Sequence, residues 1–136
     1  MRYMFLLYTN EDERAESLVE EREKATQAHW AIMDKTRRLG IFQGAEPLAP
    51  TSTATTVRHR DGKALITDGP FAETKEQLAG YYILDCKDLD EAISWAAKIP
   101  ILCRGTAGCV EVRPLPGLPA REGVPAGDGE LSHRDR

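Results

Sequence analysis

Two stretches of this chain, Arg2–Tyr8 (RYMFLLY) and Gly80–Cys86 (GYYILDC), are apolar on both faces of a strand. In the first, Tyr3, Phe5 and Leu7 point one way, and Met4, Leu6 and Tyr8 point the other. Such strands need cover on both sides of their sheet. Only two long segments carry a helical repeat, and two helices suffice for one face. The other face must find a further partner, and a second copy of the same chain is the simplest.

The remaining elements follow in order. The polar segment Asn10–Glu16 reads as a loop. Ser17 and Glu20 form a capping box, so a helix is expected over 18–39, with Gly40 as its stop. Its apolar stripe runs Leu18, Ala25, Ala28, Ile32, Met33, Thr36 and Leu39, and His29 falls on or beside that stripe. Residues 41–46 read as a second strand, ended by Pro47 and Pro50. Thr53–Arg60 and Lys63–Thr67 flank Asp61-Gly62, a two-residue hairpin signal that sets 60 opposite 63 and 57 opposite 66. A second helix should start at Asp88, with Glu91 at its third position, and stop before Pro100; a last strand covers 110–113. Without the hairpin, this order is the β-α-β-β-α-β ferredoxin-like plan of an α+β fold. Two such sheets packed face to face make a dimeric α/β barrel. The folded domain is expected over 1–114, and the Pro- and Gly-rich remainder, 115–136, reads as a poorly ordered tail.

Composition narrows the function classes. A net charge of −4 gives no electrostatic reason to expect nucleic acid or an anionic membrane as partner. No apolar run approaches the roughly 20 residues that span a bilayer, and the N-terminal apolar run is too short for a signal peptide, so a cytoplasmic protein is expected. Cys86, Cys103 and Cys109 fit neither a disulfide framework nor a zinc pattern and read as buried or incidental thiols. With no Gly-rich phosphate loop, nucleophile elbow or metal-ligand cluster in the sequence, neither a metal nor a cofactor is expected.

The most distinctive block lies between two strands: Asp68-Gly69-Pro70-Phe71-Ala72-Glu73-Thr74-Lys75-Glu76-Gln77-Leu78-Ala79-Gly80-Tyr81-Tyr82. Together with Arg2–Tyr8, Thr53–Arg58, Asp88–Ala92 and Val110–Pro114, it resembles the DGPF branch of the YCII-related proteins. The resemblance implies a ferredoxin-like protomer and a barrel dimer. It also implies a His on the first helix, here His29, paired with an Asp as an acid–base couple. The relatives' Asp follows the second strand, where this chain offers only Glu46; Asp68 is the other candidate. Relatives often accompany sigma factors, which implies a sigma-factor-linked regulatory partner.

The candidate catalytic residues are therefore His29 and Asp68. A histidine side chain titrates in the range useful for proton transfer, yet an ordinary core histidine bonded to a backbone carbonyl is the plainer reading of His29. Asp68 is a base, a ligand contact or simply a turn former. The candidate ligand-binding residues are Glu46, Arg58, Phe71, Glu73, Lys75 and Tyr82. Phe71 is expected to plug the core beneath its turn. Tyr81 and Tyr82, as strand neighbours, must face opposite sides. Arg58 could hold an acidic ligand or merely protect a strand edge. The Cys103–Cys109 segment could line the pocket. The leading expectation is a homodimeric binding or regulatory protein whose cleft holds a small molecule without transforming it. The competing expectation is a cofactor-independent lyase or isomerase that uses His29 with a carboxylate.

Overall fold

The computed structural model describes residues 1–102, 108–120 and 123. Its elements are β1 (Arg2–Thr9), α1 (Glu11–Ala15), α2 (Val19–Arg38), β2 (Phe42–Pro47), a 3-10 turn (Thr51–Thr53), β3 (Thr55–Arg60), β4 (Lys63–Asp68), β5 (Gln77–Asp85), α3 (Leu89–Ala96) and β6 (Cys109–Leu115). The main sheet has the order β2-β5-β1-β6, and β3 and β4 form a separate two-stranded sheet. Every neighbouring pair in the main sheet is antiparallel. Setting the hairpin aside, the order and direction are those of the ferredoxin-like plan.

The register shows how the double-sided strands are used. Phe5 lies opposite Tyr82 and Val112, and Tyr82 opposite Ala45, so these four share one face. Tyr3 and Leu84, then Leu7 and Gly80, extend that face. Tyr3, Phe5, Leu7, Tyr82, Leu84 and Cys86 are buried there against Ala92, Trp95 and Ile99 of α3 and the turn after it. Ile32 and Met33 of α2 pack on the same core. The opposite face carries Met4, Leu6, Tyr8, Tyr81 and Ile83 with no helix over it, and these side chains are half-buried within the single chain. Tyr81 and Tyr82 thus part to opposite sides as alternation requires.

Gly80 marks a close approach. A Cβ there would sit 2.8 Å from the Glu46 carbonyl oxygen and 3.2 Å from the Pro47 Cα, so edge strand β2 lies tight against β5. At the hairpin turn, Asp61 and Gly62 both take positive φ, 52° and 75°, as a type I′ turn demands. The register of 60 with 63 and 57 with 66 is as the turn chemistry predicts.

Several local expectations are corrected. Asn10–Glu16 is not a plain loop: Asn10 Oδ1 accepts from the Glu13 amide and caps the short helix α1. The N-cap of α2 is Leu18, not Ser17, and it is the Glu21 carboxylate that accepts from the Leu18 amide. Ser17 instead turns inward, its hydroxyl donating to the Arg14 carbonyl. Leu18 and Leu39, at the ends of the predicted stripe, are exposed and sit at the N-cap and C-cap of α2. Thr36 is buried on that stripe, its hydroxyl satisfied by the Ile32 and Met33 carbonyls one turn back. Phe71 does not plug the core: it is 75% exposed, since the turn that carries it extends from the hairpin and not from the main sheet. Cys86 is buried and Cys109 exposed; Cys103 and most of the predicted tail lie outside the described residues. Among the described residues, no helix is long and apolar enough to cross a membrane.

Candidate functional site

Between α2 and the β2–β5 half of the sheet lies a cavity of about 370 Å³. Leu7, Gly80 and Tyr82 form its floor, Ala25, His29 and Met33 its roof, and Pro100, Ile101 and Leu102 close one side. The closing segment is held to β1 by the Thr9 hydroxyl, which donates to the Leu102 carbonyl at 3.0 Å. Trp30, one residue beyond His29, also borders the cavity and is 59% exposed.

His29 stands at the centre. Its Nδ1 lies 2.6 Å from the Tyr82 hydroxyl oxygen, and the two rings are stacked with centroids 5.8 Å apart at 27°. Burial, and then the positive charge of Arg14, hold the His29 pKa below its ordinary value. Burial pushes the Tyr82 phenol up to about 12. Near pH 7, then, the imidazole is neutral and the phenol keeps its proton. A phenol is the better donor of the two, and a neutral imidazole nitrogen is a strong acceptor. We therefore assign Tyr82 as donor to Nδ1, which places the remaining imidazole proton on Nε2.

Arg14 and Arg22 line the cavity from α1 and the first turn of α2. Arg22 Nη1 donates to the Ser17 carbonyl at 3.0 Å, which fixes the guanidinium in place. Glu46 borders the cavity too, but it is paired in register with Tyr81, one residue from Ala45, which pairs with Tyr82. Alternation sends its carboxylate to the other face of the sheet. Outside the cavity lining, the Glu11 carboxylate accepts from the Thr51 amide at 2.8 Å and the Thr51 hydroxyl at 2.6 Å. The Glu11 amide in turn donates to the Gln77 side chain at 2.9 Å. These bonds tie α1, the 3-10 turn and the start of β5 together.

The residues singled out from sequence separate into two groups. His29, Tyr82 and, through its backbone side, Glu46 meet at the cavity. Asp68, Arg58, Phe71, Glu73 and Lys75 do not line it. Asp68 closes β4 opposite Thr55, and Arg58 Nη2 donates to the Phe71 carbonyl at 3.2 Å. Gly69, with φ of 96°, donates its amide to the Ala54 carbonyl and accepts at its own carbonyl from the Thr56 hydroxyl. The Asp-Gly-Pro-Phe turn is thus bonded to its own hairpin. Arg14, Arg22, Trp30 and Ile101 escaped the sequence reading; only the proximity of Trp30 to His29 along α2 gave a hint of one. Among the described residues, no three His, Cys, Asp or Glu side chains cluster as a metal site would require.

Comparison with known proteins gives two findings. The YCII-related domain matches residues 1–116. An uncharacterized protein of Rhizobium meliloti is 40% identical over 115 residues, covering 85% of this chain and 92% of the relative.

Proposed function

This chain belongs to the YCII-related family, and from that premise we propose that it is a small-molecule-binding protein whose site is the cavity around His29 and Tyr82. The observation that carries the reading is the pairing itself. A desolvated histidine bonded to a buried phenol, with its second nitrogen available, opens onto a concave and mostly apolar space. A histidine needed only for packing has no use for a cavity beside it. The volume suits a single-ring or short-chain compound and is small for a dinucleotide. The Asp-Gly-Pro-Phe block supports placement in the DGPF branch, and there it serves the hairpin and not the cavity. In a binding protein of this kind, occupancy of the cavity would be the signal, passed on across a dimer or to a regulatory protein partner.

The test is a thermal-shift screen of a broad compound collection run beside the variant Ala25→Leu, which extends a side chain from α2 into the cavity. Compounds that bind the native state must raise its melting temperature. The reading expects their effect to vanish in the variant. Compounds that stabilise both proteins equally would refute it.

A second reading has its own support. His29 borders the cavity, and burial keeps it neutral near pH 7, as a proton-accepting group requires. In that reading Tyr82, not Asp68 or Glu46, orients the imidazole, and the reaction would be an isomerisation or elimination. Turnover by the parent protein that is lost in His29→Gln, with binding retained, would establish it; binding with no turnover in either protein would reject it.

We further propose a homodimer through the uncovered sheet face. Met4, Leu6 and Ile83 form an apolar strip there that a single chain leaves half-exposed. Light scattering should give twice the 15.1 kDa chain mass, and Leu6→Arg should return it to the single-chain value. A parent protein that stays at 15.1 kDa at micromolar concentration would contradict the proposal.

A further inference from the structure

The cavity has a polarity that its volume alone does not reveal. Three charged residues border it: Arg14, Arg22 and Glu46. The pleat turns the Glu46 carboxylate to the opposite face of the sheet, as the pairing of Glu46 with Tyr81 requires. Arg14 and Arg22 are therefore the charged side chains that reach the cavity from the helix side of the sheet. Neither makes an ion pair among the described residues, and Arg22 is fixed by its bond to the Ser17 carbonyl. Of the neutral side chains that line it, His29 adds a donor. With Tyr82 donating to Nδ1, His29 presents an N–H at Nε2. The remaining surface is flat and greasy: Leu7, Met33, Ile101 and the exposed ring of Trp30.

We propose that the ligand is a small aromatic or conjugated carboxylate, its anionic end held by Arg14 and Arg22 and its ring lying against Trp30 and Met33, towards the His29 N–H. The inference rests on the cavity being a binding site and adds the chemical class of what enters it. Arginine suits this role, since its planar fork matches the two oxygens of a carboxylate and its charge does not depend on pH. A cationic ligand would meet two like charges. A neutral one would offer neither guanidinium group an anionic partner.

The experiment titrates the full chain with three probes of nearly equal size, cinnamate, cinnamamide and cinnamylamine, while following the Trp30 indole and His29 ring resonances. Cinnamate should bind about tenfold more tightly than the amide at low salt, the difference expected for one charge-assisted contact. Its advantage should shrink at high salt, and the amine should bind most weakly. In the double variant Arg14→Gln/Arg22→Gln the acid should lose its advantage while the amide keeps its affinity. Arg14→Lys/Arg22→Lys should retain part of the preference, and it separates loss of charge from loss of fold. Equal binding of acid and amide, or an unchanged preference in the Gln variant, would overturn the charge assignment while leaving the cavity as a site. Failure of all three probes to move Trp30 or His29 would overturn the cavity reading and this inference with it.

Discussion

Replacing Tyr82 with Phe removes one oxygen atom from a residue that is only 3% exposed and leaves the ring in its slot beside Phe5 and Ala45. Two consequences can be worked from the geometry. The first is stability. The hydroxyl makes a 2.6 Å bond to His29 Nδ1, and its loss leaves a half-buried acceptor unpaired. An unpaired buried acceptor costs about 1–3 kcal/mol, and cavity water that reaches Nδ1 would keep the loss near the low end, about 1–2 kcal/mol. For a chain of 136 residues, the usual unfolding entropy converts this to a fall in Tm of about 3–7 °C. The second is titration. If Tyr82 donates to Nδ1, its hydrogen bond favours neutral imidazole, so Tyr82→Phe should raise the His29 pKa towards the ordinary range. If His29 were the donor, losing the bond would not favour the imidazolium. Following the His29 ring protons by NMR between pH 4 and 9 in both proteins decides this. A pKa that falls or stays put in Tyr82→Phe would refute the assigned direction of the bond, and a parent His29 that titrates at or above the ordinary value would refute its desolvation.

Three further outcomes are expected. Because the His29 pKa is depressed in the folded chain, the unfolded chain binds the proton first as pH falls; the stability due to keeping His29 neutral is therefore present above about pH 6.5 and lost below it, until the folded pKa is reached. Urea unfolding at stepped pH should show this slope in the parent and a flatter one in His29→Gln. Gly80→Ala forces a methyl group against the Glu46 and Pro47 backbone, where no flexible side chain can give way, and should cost about 1–3 kcal/mol by chemical denaturation; a neutral effect would mean that β2 is not held as closely as described. Phe5→Ala empties the centre of the core, where the ring is fully buried, and should cost about 3–5 kcal/mol by the same assay, with a smaller loss counting against Phe5 as the core's keystone.

The parts of the fold that were legible in sequence are those set by short-range rules. Alternation parted Phe5 from Leu6 and Tyr82 from Tyr81, while which of these share a face came only from the strand pairing, and Asp61-Gly62 fixed the hairpin register residue by residue. Asp88 also caps α3 as expected, its Oδ1 accepting from the Glu91 amide at 2.9 Å. Helix α1 was not legible, because a five-residue helix shows no repeat and depends on the single side-chain cap from Asn10. Phe71 misled, since a large aromatic beside a turn signals burial only if the turn meets the core, and this one belongs to a hairpin standing apart. His29 was legible as a candidate and its partner was not. A carboxylate was expected, yet the β5 side chain that alternation delivers to the underside of α2 is a phenol. Arg14 and Arg22 come to the same cavity from two helices, a convergence that no local pattern encodes.

The most direct measurement is a crystal structure of the chain with a compound that stabilises it. The account predicts that compound between α2 and β5, with a polar atom within hydrogen-bonding reach of His29 Nε2 and its apolar part against Met33 or Trp30. A compound seated on the hairpin or on the uncovered sheet face, with the space beside His29 left empty, would contradict it.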